Sequence, residues 1–212
     1  MRNIPFFTTE YGVASLILES IPMRREAYIL LQSTSAPQKL LEECRAFCVA
    51  CGAEKIFASA QEGLEDYPLF ASILQMNARR LSIGDTDAAV FPVQQETAEQ
   101  WRQIYNEKMA KVFKAAWISE SAMSRLLQEG NAYFIHRNGQ LLGIGVASEG
   151  EIRAVASVIP GSGADVVRAL CHTFFEEEIK VEVASTNTKA IRLYEKLGFI
   201  SVKELSRWHK IL

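Results

Sequence analysis

The chain has 212 residues, of which 49% are hydrophobic and 23% charged, and its formal net charge is −2 at pH 7. Such a chain can bury a sizeable core, and its composition excludes extended disorder. No basic stripe suggests nucleic acid, and no apolar run approaches the roughly 20 residues that cross a bilayer, so neither nucleic acid nor membrane is an expected partner.

At the N-terminus, MRNIPFFTTE turns polar too early for a secretory signal, and a cytoplasmic protein is the expectation. FFTTEYGVASLILESIP reads as strands, EAYILLQS as a further strand, APQKLLEECRAFCVAC as a helix and EKIFASA as a strand. Within that helix Cys44, Cys48 and Cys51 have the C-x3-C-x2-C spacing of a radical-SAM iron–sulfur site. Leu40, Leu41, Cys44, Phe47, Cys48 and Cys51 fall on one helical side, however, and the segment reads as helix up to Gly52. A cluster needs thiolates converging from a loop, so the thiols are assigned to core packing and no metal is expected. YPLFASILQMNARR predicts another helix, and LSIGDTDAAVFPVQQ, near residues 81–95, is the expected joint between two halves.

The second half opens with ETAEQWRQIYNEKMAKVFKAA, an amphipathic helix over Glu96–Ala116 whose buried side is Trp101, Ile104, Tyr105, Met109, Val112 and Phe113. A second helix follows over Glu120–Glu129 and stops at Gly130. AYFIHRNGQLLGIGVA reads as two strands around a type I′ turn at Asn138-Gly139, and Glu149-Gly150 turns into a third strand, EIRAVASVI. The order then changes: a PGSGAD loop, the helix DVVRALCHTFF, the strand IKVEVAS, the helix TKAIRLYEKL, and two short final strands in FISVKELSRWHKIL. Strand–helix–strand implies a parallel crossover, so the sheet is expected to be mixed.

Two stretches could carry chemistry. IPGSGAD places glycines and a helix start together, which suits a phosphate, although Asp165 could equally cap the helix and its charge opposes an anion. In VEVASTNTKAIRLYEKLGF, Glu182 points to the face opposite Val181 and Val183, Asn187 is positioned as an N-cap, and Tyr194 lies on the apolar side of the helix. Packing and capping alone explain each of these residues. Tyr105, Asn106 and Glu107 are weaker candidates, and His136 and His172 have no partners at metal-ligand spacing.

The run N-x-x-A-x-x-L-Y-x-x-x-G-F, present as Asn187, Ala190, Leu193, Tyr194, Gly198 and Phe199, resembles the last motif of the GNAT superfamily of acyl-CoA-dependent N-acyltransferases. The upstream order of elements fits as well, over residues 91–212. EVASTNTKAIRLYEKLGF is similar to bacterial acetylases of protein N-termini, and the whole chain, including WRQIYNEKM and SRWHKIL, resembles uncharacterised clostridial GNAT-type proteins. The resemblance implies a GNAT-like mixed central sheet flanked by helices, and acetyl-CoA as cosubstrate. It implies that Ala156, Ser157 and Val158 offer backbone hydrogen bonds to the pantetheine arm, with a backbone N–H such as that of Val158 polarising the thioester carbonyl. Gly161, Ser162, Gly163 and Ala164 would cradle the pyrophosphate, although the family's Arg or Gln position is Val158 here. Glu182 matches the base, Tyr194 the acid, and Asn187 a residue that orients the helix start and contacts CoA or a bound water.

A fixed offset carries Glu26, which opens EAYILLQS, onto Glu151, which opens EIRAVASVI, and Glu54 onto Ile179. The expected organisation is therefore a degenerate GNAT-like α/β half-repeat over residues 1–90 and an acetyltransferase domain over 91–212. The first half has STSAP where the second has IPGSG, and Glu62 and Leu69 where the second has Asn187 and Tyr194, so it is not expected to bind CoA. The expected function is acetyl transfer from acetyl-CoA to a small-molecule or peptide amine; the alternative is a GNAT-fold module that binds an acyl-CoA or other ligand without turnover. A homodimer is the candidate assembly.

Overall fold

The computed structural model describes residues 6–212. Its elements in chain order are β1 (Phe6–Thr9), β2 (Gly12–Ile17), α1 (Ile21–Arg24), β3 (Glu26–Thr34), α2 (Pro37–Ala50), β4 (Lys55–Ser59), β5 (Leu69–Arg79), β6 (Ala89–Pro92), α3 (Ala98–Met109), α4 (Glu120–Glu129), β7 (Ala132–Arg137), β8 (Gln140–Ser148), β9 (Glu151–Ser157), α5 (Gly163–Cys171), β10 (Glu178–Ala184), α6 (Thr188–Lys196) and β11 (Ile200–Lys210). They form two compact units, one reaching to Ile73 and including Glu204–Leu212, the other Leu74–Lys203. The chain passes between the units within β5 and within β11. Residues 74–90 thus belong to the second unit and the last nine residues to the first.

In the first unit the strand order is β1-β2-β3-β4-β11. β3 and β4 are parallel over five register pairs, from Glu26↔Lys55 to Leu30↔Ser59, with α2 as the crossover. One face of this sheet packs Ile29, Leu31 and Ile56 against Leu40, Leu41, Cys44 and Cys48 of α2. Burial pushes the Cys44 thiol up to about 11 and the Cys48 thiol up to about 12, so both remain protonated packing groups. Cys51 is exposed at the helix end and the Phe47 ring lies 5.2 Å from that of Phe7, so the buried stripe of α2 is narrower than its sequence pattern. The other face stacks Tyr28 on Phe57 at 5.6 Å, with Trp208 edge-on to Tyr28 at 5.7 Å.

Three expected elements differ. Leu69–Arg79 is a strand, not a helix, and Ala71, Ser72, Ile73, Met76, Asn77 and Ala78 are buried in it. Leu, Ala, Gln and Met favour a helix locally, but the burial of side chains along the strand outweighs tenths of a kcal/mol of propensity. The final segment is one eleven-residue strand, β11, instead of two. The helix expected to reach Ala116 ends at Met109, where tight turns follow and Lys114 adopts φ +61°. Buried Asn106 fixes the end of those turns: its Nδ2 donates to the Ile118 carbonyl and its Oδ1 accepts from the Ile118 N–H, both at 2.9 Å.

The second unit is a mixed sheet in the order β5-β10-β9-β8-β7-β6, with helices on both faces. Val166, Val167 and Leu170 of α5, Tyr194 of α6 and Leu197 just past its end pack on Ile135, Ile152, Val181 and Val183. On the opposite face Trp101, Tyr105 and Met109 of α3 and Met123 of α4 pack on Phe134, Ile144 and Val146. The β7–β8 hairpin turns at Asn138 (φ +52°) and Gly139 (φ +78°), as its sequence predicts. Gly143 and Gly145 set the height of α5 above the sheet. A Cβ at Gly145 would lie 2.4 Å from Leu170 Cδ1, and one at Gly143 would lie 2.5 Å from the Ala156 carbonyl oxygen and 2.7 Å from Val166 Cγ2.

Candidate functional site

The site begins where β9 and β10 part. Their parallel ladder holds only Glu151↔Lys180 and Ile152↔Val181, although β9 continues to Ser157 and β10 to Ala184. The cause lies on the other edge of β9. Opposite β8, Ala154 pairs with Val146 and Ile152 with Ala147, so Arg153 is an extra residue, a β-bulge. Before the bulge, Gly150 accepts from the Lys180 N–H, and residues 150 and 152 address β10. After it, the Val158 N–H donates to the Leu142 carbonyl at 2.8 Å, and the two-residue repeat turns Ala154 and Ala156 toward β8 as well. Val155 and Ser157 are left with their backbone groups facing the gap.

This redistributes the expected pantetheine contacts. The Ser157 backbone faces the gap. The Ala156 backbone serves β8, and the Val158 N–H, expected to polarise a carbonyl, is already taken by Leu142. Val155 was not among the expected residues. A strict alternation through β9 would have missed it too, because only the bulge brings its backbone to the gap side.

Beyond β9 the loop is tied to one atom. The Leu142 carbonyl accepts from Val158 N, from Ile159 N at 3.4 Å and from Ser162 Oγ at 2.9 Å, Leu142 being itself the extra residue of a bulge in β8 against β7. Ser162 is buried, its hydroxyl also meets the Ile159 carbonyl at 2.8 Å, and its N–H donates to the same carbonyl at 3.2 Å. Ser162 therefore shapes the loop from inside. Gly161 sits at φ +90° with open space around it, and Gly163 lets α5 approach Leu193, whose Cδ2 would be 3.1 Å from a Cβ there. The first backbone bond of α5 runs from Val166 N to the Ser162 carbonyl, so the N–H groups of Gly163, Ala164 and Asp165 precede the helical ladder. Asp165 does not cap them: it faces Arg137 at 3.0 Å and Arg168 at 3.6 Å, and its charge is balanced away from the helix start.

Across the gap, Glu182 is exposed on the α3 face of β10, while Val181 and Val183 are buried on the α5 face. Partial desolvation of its carboxyl against the sheet is the largest cause raising Glu182 above the ordinary range, Glu151 adds to it, and Lys114 opposes it. Ionising such a group costs the folded state, so its contribution to stability is present at acid pH and is lost as pH rises through the raised value. Glu182→Gln removes that loss. Its melting temperature should equal or exceed the parent's at neutral pH, the difference closing in acid; a variant markedly less stable at neutral pH would contradict this.

Asn187 caps α6, its Oδ1 accepting from Ala190 N at 3.3 Å. Asn187→Ala should cost about 1 kcal/mol, read by denaturant unfolding. Tyr194 is 5% exposed and tilts against Phe199 at 5.6 Å. Burial, with a smaller effect of Cys171, pushes its phenol well above the ordinary value, and among the described residues its hydroxyl makes no hydrogen bond. Tyr194 belongs to the α5–α6 face and Glu182 to the α3 face, so the two flank the gap from opposite sides of the sheet. Of the weaker candidates, Tyr105 stacks on Trp101 at 5.3 Å, Asn106 holds Ile118, and Glu107 pairs with Lys108. An open cleft of about 580 Å³ lies at the far end of β9, around Glu149, Phe174 and Glu176, and contains none of the site residues named above. Among the described residues no three His, Cys, Asp or Glu group as metal ligands, and no helix is long and apolar enough to cross a membrane.

Solved structures share this architecture. A functionally unknown conserved protein from Staphylococcus epidermidis ATCC 12228 superposes with a TM-score of 0.60 at 12% identity, over 99% of this chain and 94% of that one. A GCN5-related N-acetyltransferase from Kribbella flavida gives 0.55 at 12% identity, over 99% and 89%. A tandem GNAT protein from the clavulanic acid biosynthesis pathway gives 0.52 at 12% identity, over 94% and 78%. The fold is that of the GNAT acetyltransferases. Within it, residues 159–208 match the family of FR47-like proteins, a stretch that begins in the glycine loop and takes in α5, β10 and α6 of the GNAT fold. No curated protein sequence matches the chain.

Proposed function

We propose that this protein is an N-acetyltransferase that moves an acetyl group from acetyl-CoA directly to an amine. The observation that carries this reading is the gap between β9 and β10, with backbone groups along one side and Tyr194 and Glu182 on opposite faces. Val155 and Ser157 hold the pantetheine arm as an added strand would be held. The Gly161 turn and the amides of Gly163 and Ala164 receive the pyrophosphate at the helix start, with no basic side chain in the loop. An attacking amine must be neutral, and Glu182, made more basic by its surroundings, takes its proton. Tyr194 stays protonated, and a phenol raised above its usual value is a weaker acid than a thiol near 8.5, so it stabilises the departing thiolate by donating a hydrogen bond without surrendering the proton. Asn187 sets the helix that carries Tyr194. The acceptor is a small-molecule or peptide amine approaching from the α3 face.

The first unit is, on this reading, a degenerate copy of the second. The offset that carries Glu26 onto Glu151 also carries Lys55 onto Lys180, and both Glu–Lys couples are parallel register pairs, which supports it. β3 and β4 stay paired to Leu30 and Ser59, leaving no gap at the equivalent depth, so this unit does not take CoA.

The test is thermal unfolding with acetyl-CoA. Ligand at 100 times its dissociation constant stabilises by about 2.7 kcal/mol, and no shift at millimolar acetyl-CoA would remove the proposal. Binding without transfer to any of a panel of amines would leave a non-catalytic acyl-CoA-binding module, the reading that the uncharged loop favours.

A further inference from the structure

The face of the sheet that carries Glu182 changes character across its width. Under α3 and α4 it is apolar, with Phe134, Ile144, Val146, Ala154 and Ala156 in one cluster. On β5 it is polar. Leu74, Met76 and Ala78 pack into the α5–α6 core, so the period of two turns Gln75 and Asn77 to the opposite face, the one that Glu182 shares. β5 neighbours β10, and Arg80 N donates to the Glu177 carbonyl at 2.8 Å, which joins the end of one strand to the start of the other and makes the two antiparallel. Counting back from that bond sets Ala78 opposite Ile179, Met76 opposite Val181 and Leu74 opposite Val183, all members of the same core. The same count sets Gln75 opposite Glu182, at the roughly 4.5–5.5 Å of cross-strand neighbours.

Gln75 Nε2 donates to Asn77 Oδ1 at 2.9 Å, and Asn77 is buried. That bond leaves the Gln75 amide oxygen and the Asn77 amide nitrogen without a partner among the described residues. Reversing both amides would again leave one oxygen and one nitrogen. The pair therefore offers one acceptor and one donor side by side, the complement of a single amide group. Two half-satisfied amides kept on a strand for packing alone would gain nothing over apolar side chains of similar shape.

We propose that Gln75 and Asn77 select an acceptor whose amine stands beside an amide, an α-amino amide such as the first residue of a peptide. The inference rests on the acetyltransferase reading. The acceptor's amide N–H donates to Gln75 and its carbonyl accepts from Asn77, while the amine on the adjoining carbon lies toward Glu182. The amine nitrogen bonds to the acetyl carbonyl carbon, the carbon–sulfur bond breaks, CoA leaves as the thiolate, and the proton released by the nitrogen passes to Glu182. Gln75 and Asn77 are positioning residues and exchange no proton in that step.

The experiment gives the full-length protein acetyl-CoA with either alaninamide or alanine methyl ester, alongside thermal unfolding with acetyl-CoA. Both probes carry an α-amine beside a carbonyl, and only the first has the N–H that Gln75 accepts. kcat/KM should be about tenfold or more higher for the amide, because a site built to hydrogen-bond a group rejects the analogue that lacks it. Gln75→Leu should bring that ratio close to unity, chiefly through a raised KM for alaninamide, while acetyl-CoA still raises the melting temperature. A packing defect would instead slow both probes alike and leave the ratio where it was. If acetyl-CoA stabilises the protein but the probes react equally, or neither reacts, or Gln75→Leu keeps the preference, the inference is overturned and the acetyltransferase reading is decided separately by the amine panel. If acetyl-CoA gives no stabilisation, that reading has failed and the inference falls with it.

Discussion

Tyr194→Phe should lower turnover about 100-fold or more while leaving acetyl-CoA affinity and the melting temperature close to the parent's. A donor aimed at charge that develops only in the transition state is worth that much in rate. Its loss removes little from the ground state, where a thioester sulfur carries no full charge. Stability is spared for a separate reason: the hydroxyl has no hydrogen-bond partner among the described residues, and phenylalanine keeps the ring packing on Phe199. Rate, dissociation constant and unfolding temperature of the one variant give the decision. A rate equal to the parent's would dismiss Tyr194 from the chemistry, and a large fall in stability would show that the hydroxyl is a structural group.

Gly143→Ala should destabilise the protein by about 1–3 kcal/mol, which for a chain of this size lowers the melting temperature by about 2–4 °C per kcal/mol. The added methyl would stand 2.5 Å from a backbone oxygen, that of Ala156, and 2.7 Å from Val166 on α5. A side chain could rotate away, but a carbonyl in a paired strand cannot, so β9 itself has to move. Because Ala156 lies between Val155 and Ser157, the displacement reaches both residues that face the gap, and acetyl-CoA affinity should fall with stability. Gly161→Ala is the contrasting case: its methyl meets nothing, and its cost is backbone strain on the order of 1–2 kcal/mol. If Gly143→Ala left both melting temperature and affinity intact, the close packing of β8, β9 and α5 would not be what holds the gap in place.

Much of this arrangement is legible in the sequence where local rules and tertiary placement agree. The hairpin at Asn138-Gly139, the cap at Asn187 and the buried side of the α3 segment follow from turn chemistry, capping and a 3.6-residue period. Where they disagree, the sequence misleads. Leu69–Arg79 has helical residues in a strand because burial along the sheet overrides local propensity. The identity of the gap-facing residues depends on one bulge, which is a property of two strands in register and leaves no mark in the residues of either. Asp165 looks like a cap or an obstacle to phosphate until Arg137, distant in sequence, is found beside it.

The bulge in β9 also has a counterpart. Opposite β2, β3 carries one extra residue as well, since Val13 pairs with Ser33 and Ala14 with Leu31, leaving Gln32 over. In each unit the parallel ladder stops just short of that residue, at Leu30 in one and at Ile152 in the other. The bulge thus works as the stop on a zipper, and the two units differ by where the stop is set. The parallel ladder runs for five pairs where the stop stands later and for two where it stands earlier. In the function proposed above, the difference between the half that takes a ligand and the half that does not comes down to the address of a single inserted residue.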